Sequence, residues 1–375
     1  MVASDYLRDA RIVVVGAGVV GAAVAYRLAQ AGAAVTVVER RSAGSGTSGA
    51  TFAYVNATDK PPRAYHRMSM LAIRDHEDLA DEIGGDWLHV TGSLHWATRE
   101  GDRASALDRT MRQLLAWGAR ADRLDPELVR RDLEPDLAID PSAVGTVWRV
   151  ERAGWLDPVA MAHGTLSAAV RRYGARLVRA GVVGLPHDDA KIDAVVLDDG
   201  GRPAADVVVN AAGPDAAALA ALAGARLPLE RTPGLLVVSA PAPARLRHVV
   251  YAPEVNLRPD GGSRLLVQRE RLDSEVADGP AIPLADRRVE EAMDHARLVI
   301  PALRDIPAEA VRVGVRPMPQ DGYPIVGFDP AVGNLYHVVT HSGVTLAARL
   351  GLLVAEELTG GDTAPLEAYR PGRFG

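Results

Sequence analysis

The chain has 375 residues, 48% of them hydrophobic and 24% charged, enough for a large core and two lobes. A formal net charge of −6 argues against a nucleic-acid partner, and the absence of cysteine excludes disulfides, thiolate metal sites, iron–sulfur clusters and thiol catalysis. A cysteine-free chain fits a reducing compartment, and a cytoplasmic location is expected. The basic residues are nearly all Arg; Lys occurs only at Lys60 and Lys191, a bias that codon usage explains without a functional cause.

Residues 12–25 are apolar and follow Arg8 and Arg11, which invites comparison with a signal peptide. Three glycines interrupt the run, and Tyr26-Arg27 ends it short of the roughly 20 residues that a span needs. No later segment is long and apolar enough to cross a bilayer. Residues 11–15 (RIVVV) instead read as a buried strand, short and β-branched. Gly16-Ala-Gly18-Val-Val-Gly21 follows directly. Residues 19–31 read as a helix closed by Gly32, and residues 33–38 as a second strand with Glu39 at its end. This is the dinucleotide-binding unit. Gly16 permits the tight turn, Gly18 leaves room for a pyrophosphate, and Gly21 lets the helix pack on the strand. The helix N-terminus, at Val19 and Val20, offers unpaired N–H groups to phosphate. Glu39 can accept hydrogen bonds from a ribose diol and would repel a 2′-phosphate, favouring FAD or NAD over NADP.

The loop at 40–51 (RRSAGSGTSGAT) is small and polar. Arg40, Ser45, Gly46, Thr47 and Ser48 are candidates to approach phosphate or ribose. Tyr54, Asn56 and His66 come next and are expected to border an entrance. Residues 65–83 read as a helix, and the Arg-rich stretch 120–131, alternating with acids, as a solvated helix. Residues 175–183 read as a strand at a sheet edge, Asp198-Asp-Gly-Gly201 as a turn, and residues 207–210 as a buried strand ending in the small residues Ala211, Ala212 and Gly213. Residues 249–268 read as a hairpin; along it Tyr251, Asn256, Arg258 and Gln268 are candidates for the floor of a substrate lobe, with Asn256 and Arg258 on one face. Residues 335–339 form a strand, and residues 345–358 a helix whose N-terminus offers N–H groups from Gly343 to Leu346. His337 and His341 have a metal-like spacing, but on a strand they lie about 13 Å apart, so no metal is expected. Trp96 and Trp155 read as core.

Together with these units, three patches complete a pattern: residues 90–97 (VTGSLHWA), 153–158 (AGWLDP) and 314–327 (GVRPMPQDGYPIVG), the last followed by 341–351 (HSGVTLAARLG). In order and spacing the chain resembles the FAD-dependent amine and amino-acid oxidoreductases related to D-amino-acid oxidase, among them glycine oxidase, sarcosine oxidase and D-amino-acid dehydrogenase. The resemblance implies an α/β fold: a Rossmann-like FAD domain of the glutathione-reductase type (1–85, 146–215, 310–375) and an α+β substrate lobe with an antiparallel sheet (86–145, 216–309). It implies non-covalent FAD, because Gly314 stands where some relatives attach flavin to cysteine. Val182 matches the adenine-holding position, and Ser342, Gly343, Val344, Thr345 and Leu346 match the segment facing the flavin pyrimidine.

The implied reaction is oxidation of a C–N bond of an amino acid or N-substituted glycine, with hydride passing to flavin N5. The imine then hydrolyses to a carbonyl compound and an amine. O2 is the expected acceptor; a D-amino-acid dehydrogenase with another acceptor, or a flavin subunit of a larger oxidoreductase, are the alternatives. Arg316 matches a carboxylate-binding Arg of glycine oxidase; the competing reading is an Arg paired with an acid such as Asp321. His341 takes the place of a second Arg, and Thr345 stands near a Lys of sarcosine oxidase. The strand at 264–268 lacks the Lys that sarcosine oxidase places over flavin.

Overall fold

The computed structural model describes residues 10–99, 102–188, 191–279 and 281–375. Arg8 of the leader-like segment lies outside them. The central run Arg11–Val15 is a strand flanked by Val207–Asn210 on one side and Ala34–Val38 on the other, all parallel. Arg176–Val178 and Leu335–Val339 extend the sheet in parallel, and Ile325–Phe328 closes it antiparallel, giving six strands. A parallel sheet is covered on both faces, so its strands are apolar throughout rather than alternating. Ile12 and Val14 accordingly pack under the helices Val19–Gln30, Pro158–Tyr173 and Gly343–Leu358. Val13 and Val15 enter a second cluster with Val208, Leu219 and Leu335.

The second sheet has eight strands. Their order is Ala308–Pro319, Leu229–Ser239, Leu265–Gln268, Asn256–Pro259, Val249–Tyr251, Ser93–His95, Val147–Val150 and Ala121–Leu124. All neighbours are antiparallel except the pair Val249–Tyr251 with Ser93–His95. Period-two alternation divides its faces. Leu235, Val237, Val250 and Val267 pack against Val289, Met293 and Ala296 of the helix Arg287–Val299. Leu236, Val249 and Leu266 pack with Phe52 on the opposite face, toward the first sheet. The chain is thus the expected α/β fold with a second, mainly antiparallel lobe.

Several local expectations change. The stretch 120–131 is not one helix: Ala121–Leu124 pairs with Val147–Val150, and Asp125 caps a short turn by accepting from the Glu127 N–H at 2.7 Å. Its alternating charges mimic a helical face, but Ala121 and Trp148 are buried, and this apolar packing decides the pairing. The segment 175–183 is two strands, Arg176–Val178 in the first sheet and Val182–Gly184 paired with Val196–Leu197. Residues 249–268 form three strands rather than a hairpin. The boundary expected at 310 falls inside Ala308–Pro319, and Val147–Val150 also lies in the second sheet.

The two sheets meet where the turn Thr47–Ala50 lies on Ala308–Pro319. The Thr47 hydroxyl donates to the Val315 carbonyl. A Cβ on Gly314 would sit 1.8 Å from the Ala50 carbonyl oxygen, far inside contact distance. Gly314→Ala must therefore push strand and turn apart, at a cost of about 1–3 kcal/mol. The expected result is a lower thermal unfolding midpoint together with weaker FAD retention on dilution; an unchanged midpoint would refute the close contact.

Candidate active site

A cavity of about 790 Å³ opens at the carboxyl end of the first sheet, lined by Gly16, Gly18, Glu39, Arg40, Ser45, Gly46, Thr47, Ser48, Val182, Ala211, Ala212 and Gly213. Gly16 has a φ of +105°, and a Cβ there would lie 2.5 Å from the Ala211 carbonyl oxygen. A Cβ on Gly21 would lie 2.0 Å from the Gly16 carbonyl oxygen, so the helix sits directly on the turn. Gly21 itself does this packing and does not line the cavity. Glu39 is fixed at its strand end by the N–H groups of Ala17 and Arg41, both at 2.9 Å. At the helix N-terminus the Val19 N–H donates to the Ser48 hydroxyl at 3.2 Å, and Ala22 begins the intrahelical ladder. Val20, which lines the crevice, keeps its N–H for an anion. Arg40 is paired with Asp215 at the rim. A side-chain-free turn, free helix N–H groups and an anchored carboxylate fit the pyrophosphate and ribose of FAD.

A second cavity, of about 640 Å³, shares Gly18, Thr47, Ser48, Ala50, Ala211 and Gly213 with the first, so the two form one crevice. It reaches Val20, Tyr54, Asn56, Ser342, Gly343, Val344 and Thr345. Ser342 precedes the helix Gly343–Leu358, and the first intrahelical bond runs from the Leu346 N–H to the Ser342 carbonyl at 2.9 Å. Gly343, Val344 and Thr345 therefore present the free N–H groups. Leu346 does not: its N–H is spent and its side chain is fully buried away from the cavity. Thr345 ties this terminus to the Tyr54 carbonyl at 3.2 Å. His76, on the helix Arg63–Ile83, caps the same turn from outside, its Nε2 donating to the Val344 and Thr345 carbonyls at 2.8 and 3.1 Å.

Three basic groups gather at one end: Arg316, His341 and Lys60. Arg316 pairs with Asp273 at 3.0 Å and donates to the Pro233 carbonyl at 3.2 Å. Its acid is not Asp321, which pairs with Arg373. Asp273 is itself fixed by the Leu235 N–H; burial raises its pKa and Arg316 opposes that rise. The His341 pKa is pushed down to about 4, first by desolvation and then by the charges of Lys60 and Arg316, so the ring is neutral near pH 7. Lys60 Nζ donates to the Ser342 hydroxyl at 2.9 Å, and burial lowers its pKa against the opposing pull of Asp59. Composition alone sets Lys60 aside as one of two lysines in an Arg-rich chain. Rarity by itself is no signal, since Lys191 is equally rare and lies exposed on the strand Lys191–Ile192; what distinguishes Lys60 is its place in the cavity.

The opposite wall is aromatic, and Glu270 adds a carboxylate near Tyr251. Tyr251 stacks on His95 with centroids 4.9 Å apart, and lies 5.0 Å from Tyr54 and 6.0 Å from Phe52. Ser93 links His95 and Tyr54, at 2.8 Å to each. Desolvation pushes His95 down to about 3 and Tyr54 up to about 12, and raises Tyr251 well above its ordinary value. His95 lies within the patch 90–97, yet nothing local singles it out, because apart from Ser93 its partners Tyr54 and Tyr251 come from two distant segments.

Three sequence candidates are not brought to this cavity. Arg258 is buried under Trp155, 5.0 Å from the ring, and is consumed by the Phe52 carbonyl and Asp260. His66 is buried against Trp117, with Nδ1 on the Ala57 carbonyl at 2.9 Å. Asn256 donates to Glu270 at 2.9 Å, and Glu270, not Asn256, lines the cavity. His337 is spent on Asp329 and Asn210; among the described residues no group of His, Asp and Glu is arranged to hold a metal. No helix among them is long and apolar enough to cross a membrane.

Residues 11–357 match the FAD dependent oxidoreductase family. The chain is 28% identical over 376 residues to glycine oxidase of Geobacillus kaustophilus, covering 94% of each. It is 25% identical over 383 residues to one of the subunits of the opine oxidase of Agrobacterium tumefaciens, covering 96% of each. The crystal structure of the Geobacillus kaustophilus glycine oxidase superposes with a TM-score of 0.84 at 25% identity, covering 96% of this chain and 98% of that one.

The buried neutral imidazoles give the fold an acid limit. His76 is pushed down to about 4 and His95 to about 3, both by desolvation, from an ordinary value of 6.5. Below pH 6.5 the unfolded chain binds protons that these rings refuse, so stability falls as pH drops from 6.5 toward 4. Each ring contributes up to about 1.4 kcal/mol per pH unit. Urea unfolding at several pH values should show this slope, and His95→Gln should flatten it; an equal slope in the variant would contradict the neutral state.

Proposed function

The chain belongs to the FAD dependent oxidoreductase family, and on that premise we propose that it oxidises the C–N bond of a small amine carrying a carboxylate, an amino acid or an N-substituted glycine. One observation carries the reading: the FAD crevice runs without a break into a cavity with basic groups at one end and neutral aromatic rings at the other. FAD supplies a hydride acceptor at N5. The protein's part is to hold the substrate C–H bond in register and to exclude competing charge. Arg316, oriented by Asp273, takes the carboxylate through the Nη1 edge of its guanidinium, which has no acceptor among the described residues. Neutral His341 accepts a hydrogen bond from the amine N–H without adding a cation beside it. Phe52, Tyr54 and Tyr251 pack the substituent. Loss of hydride from carbon and a proton from nitrogen leaves an imine, which water splits into a carbonyl compound and an amine.

The acceptor in this reading is O2, reduced to hydrogen peroxide; a dye- or quinone-linked dehydrogenase is the contrasting case, and peroxide release under air separates them. A second reading, the flavin subunit of a larger oxidoreductase, draws support from the relative named as a subunit of opine oxidase. The decisive experiment is an anaerobic screen of glycine, D-amino acids and N-alkylglycines for bleaching of the flavin absorbance. Bleaching by at least one is expected; failure of all would overturn the reaction and favour the second reading. With the substrate in hand, Arg316→Ala should raise KM at least about tenfold, the worth of a charged hydrogen bond. An unchanged KM would remove Arg316 as the anchor.

A further inference from the structure

The basic end of the cavity holds two cationic side chains, Arg316 and Lys60, in unequal states. Arg316 is already neutralised: Asp273 lies 3.0 Å from Nη2, the Thr232 and Pro233 carbonyls accept from Nε and Nη2, and Nη1 has no acceptor among the described residues. Lys60 is the opposite case. It follows the strand Tyr54–Val55, directly before the helix-leading pair Pro61-Pro62, and is half-buried. No carboxylate lies within ion-pair distance of its Nζ among the described residues; its contacts are the Ser342 hydroxyl at 2.9 Å and the Tyr65 ring at 5.8 Å. His341 feels the charge of both cations, so it lies within range of each, and it is neutral. Among the described residues Lys60 is therefore the cation of this end with no carboxylate in ion-pair contact, while Asp59, which also lines the cavity, opposes its field from a longer distance.

An unpaired cation withdrawn from water is costly, and the lowered pKa of Lys60 records that cost. A ligand carboxylate relieves it. The Ser342 hydroxyl sharpens the fit: it accepts from Lys60 and from the Tyr65 hydroxyl, both at 2.9 Å, so its own proton is left to donate. The pair thus offers an ammonium and a hydroxyl at one point of the cavity wall. We propose that Lys60, seated on Ser342, binds the carboxylate of the amine substrate, completing the anchor that Arg316 supplies on one edge only. This rests on the proposed function for the word substrate, and on the cavity alone for the carboxylate. It gives the second anchor to a residue on a different element from His341, and it makes the enzyme selective for acids over the corresponding amides.

The test uses the FAD-loaded protein and no turnover. Benzoate, acetate and the neutral isostere benzamide are titrated against the visible flavin spectrum of the wild type and of Lys60→Met, Lys60→Arg and Ser342→Ala. Lys60→Met should weaken benzoate at least about tenfold, as expected for a lost charged hydrogen bond, and leave benzamide unchanged. Lys60→Arg should restore most of the benzoate affinity, and Ser342→Ala should weaken benzoate alone by a smaller factor. Sulfite adds to the flavin itself, so its affinity, read at the same absorbance, should fall less than that of benzoate in each variant. The proposal is overturned if benzoate and benzamide weaken equally, if sulfite affinity falls while benzoate binding holds, or if no carboxylate perturbs the wild-type flavin. A protein that binds benzoate through Lys60 yet is bleached by no amine refutes the proposed reaction and leaves this anchor standing.

Discussion

The contact between the Thr47–Ala50 turn and the strand Ala308–Pro319 is what makes two sheets into one site. The turn continues from the Glu39 strand end, so it belongs to the dinucleotide-binding unit, whereas the strand it rests on belongs to the antiparallel sheet. Because Gly314 has no side chain, the Ala50 carbonyl can lie against the strand backbone, and the Thr47 hydroxyl reaches the Val315 carbonyl. The next outward residue on that strand is Arg316. A shift of the turn by even the width of a methyl group would alter the opening between the two cavities and the position of the arginine together.

Charge in the crevice is arranged by withdrawal as much as by placement. Three imidazoles near it are held neutral by burial, and two tyrosine hydroxyls are held protonated. Asp273 neutralises Arg316, and Asn256 acts on the site only through Glu270. Such a low-polarity enclosure strengthens each remaining electrostatic contact, which is why one lysine and a few helix N–H groups suffice to discriminate an anion.

The first unit is legible because its information is local. A β-branched strand, a glycine turn, an apolar helix and a terminal acid follow each other within about 30 residues, and the structure reproduces them within a residue at each boundary. The substrate end is not legible in the same way. Arg258 and Arg316 look alike on strands of one sheet; only the third dimension shows that Arg258 is roofed by Trp155 while Arg316 opens on the cavity. Period-two reasoning places Asn256 and Arg258 on one face but does not say which face is covered. The stretch at 120–131 misleads for a related reason: alternating charge is shared by an exposed helix and an edge strand, and the choice is made by Trp148 across the sheet. Lys60 escapes notice because nothing in its local sequence shows that folding brings it beside Arg316 and His341.

Gly314 also constrains how this lineage can change. A tethered flavin would need a cysteine at this position. Here that mutation would drive a β-carbon to 1.8 Å from the Ala50 oxygen before any bond to the cofactor could form. The covalent form is reachable only after the turn has retreated, and retreat loosens the cofactor that the tether would have secured. At this strand it is the backbone contact with Ala50, not the chemistry of attachment, that opposes a cysteine.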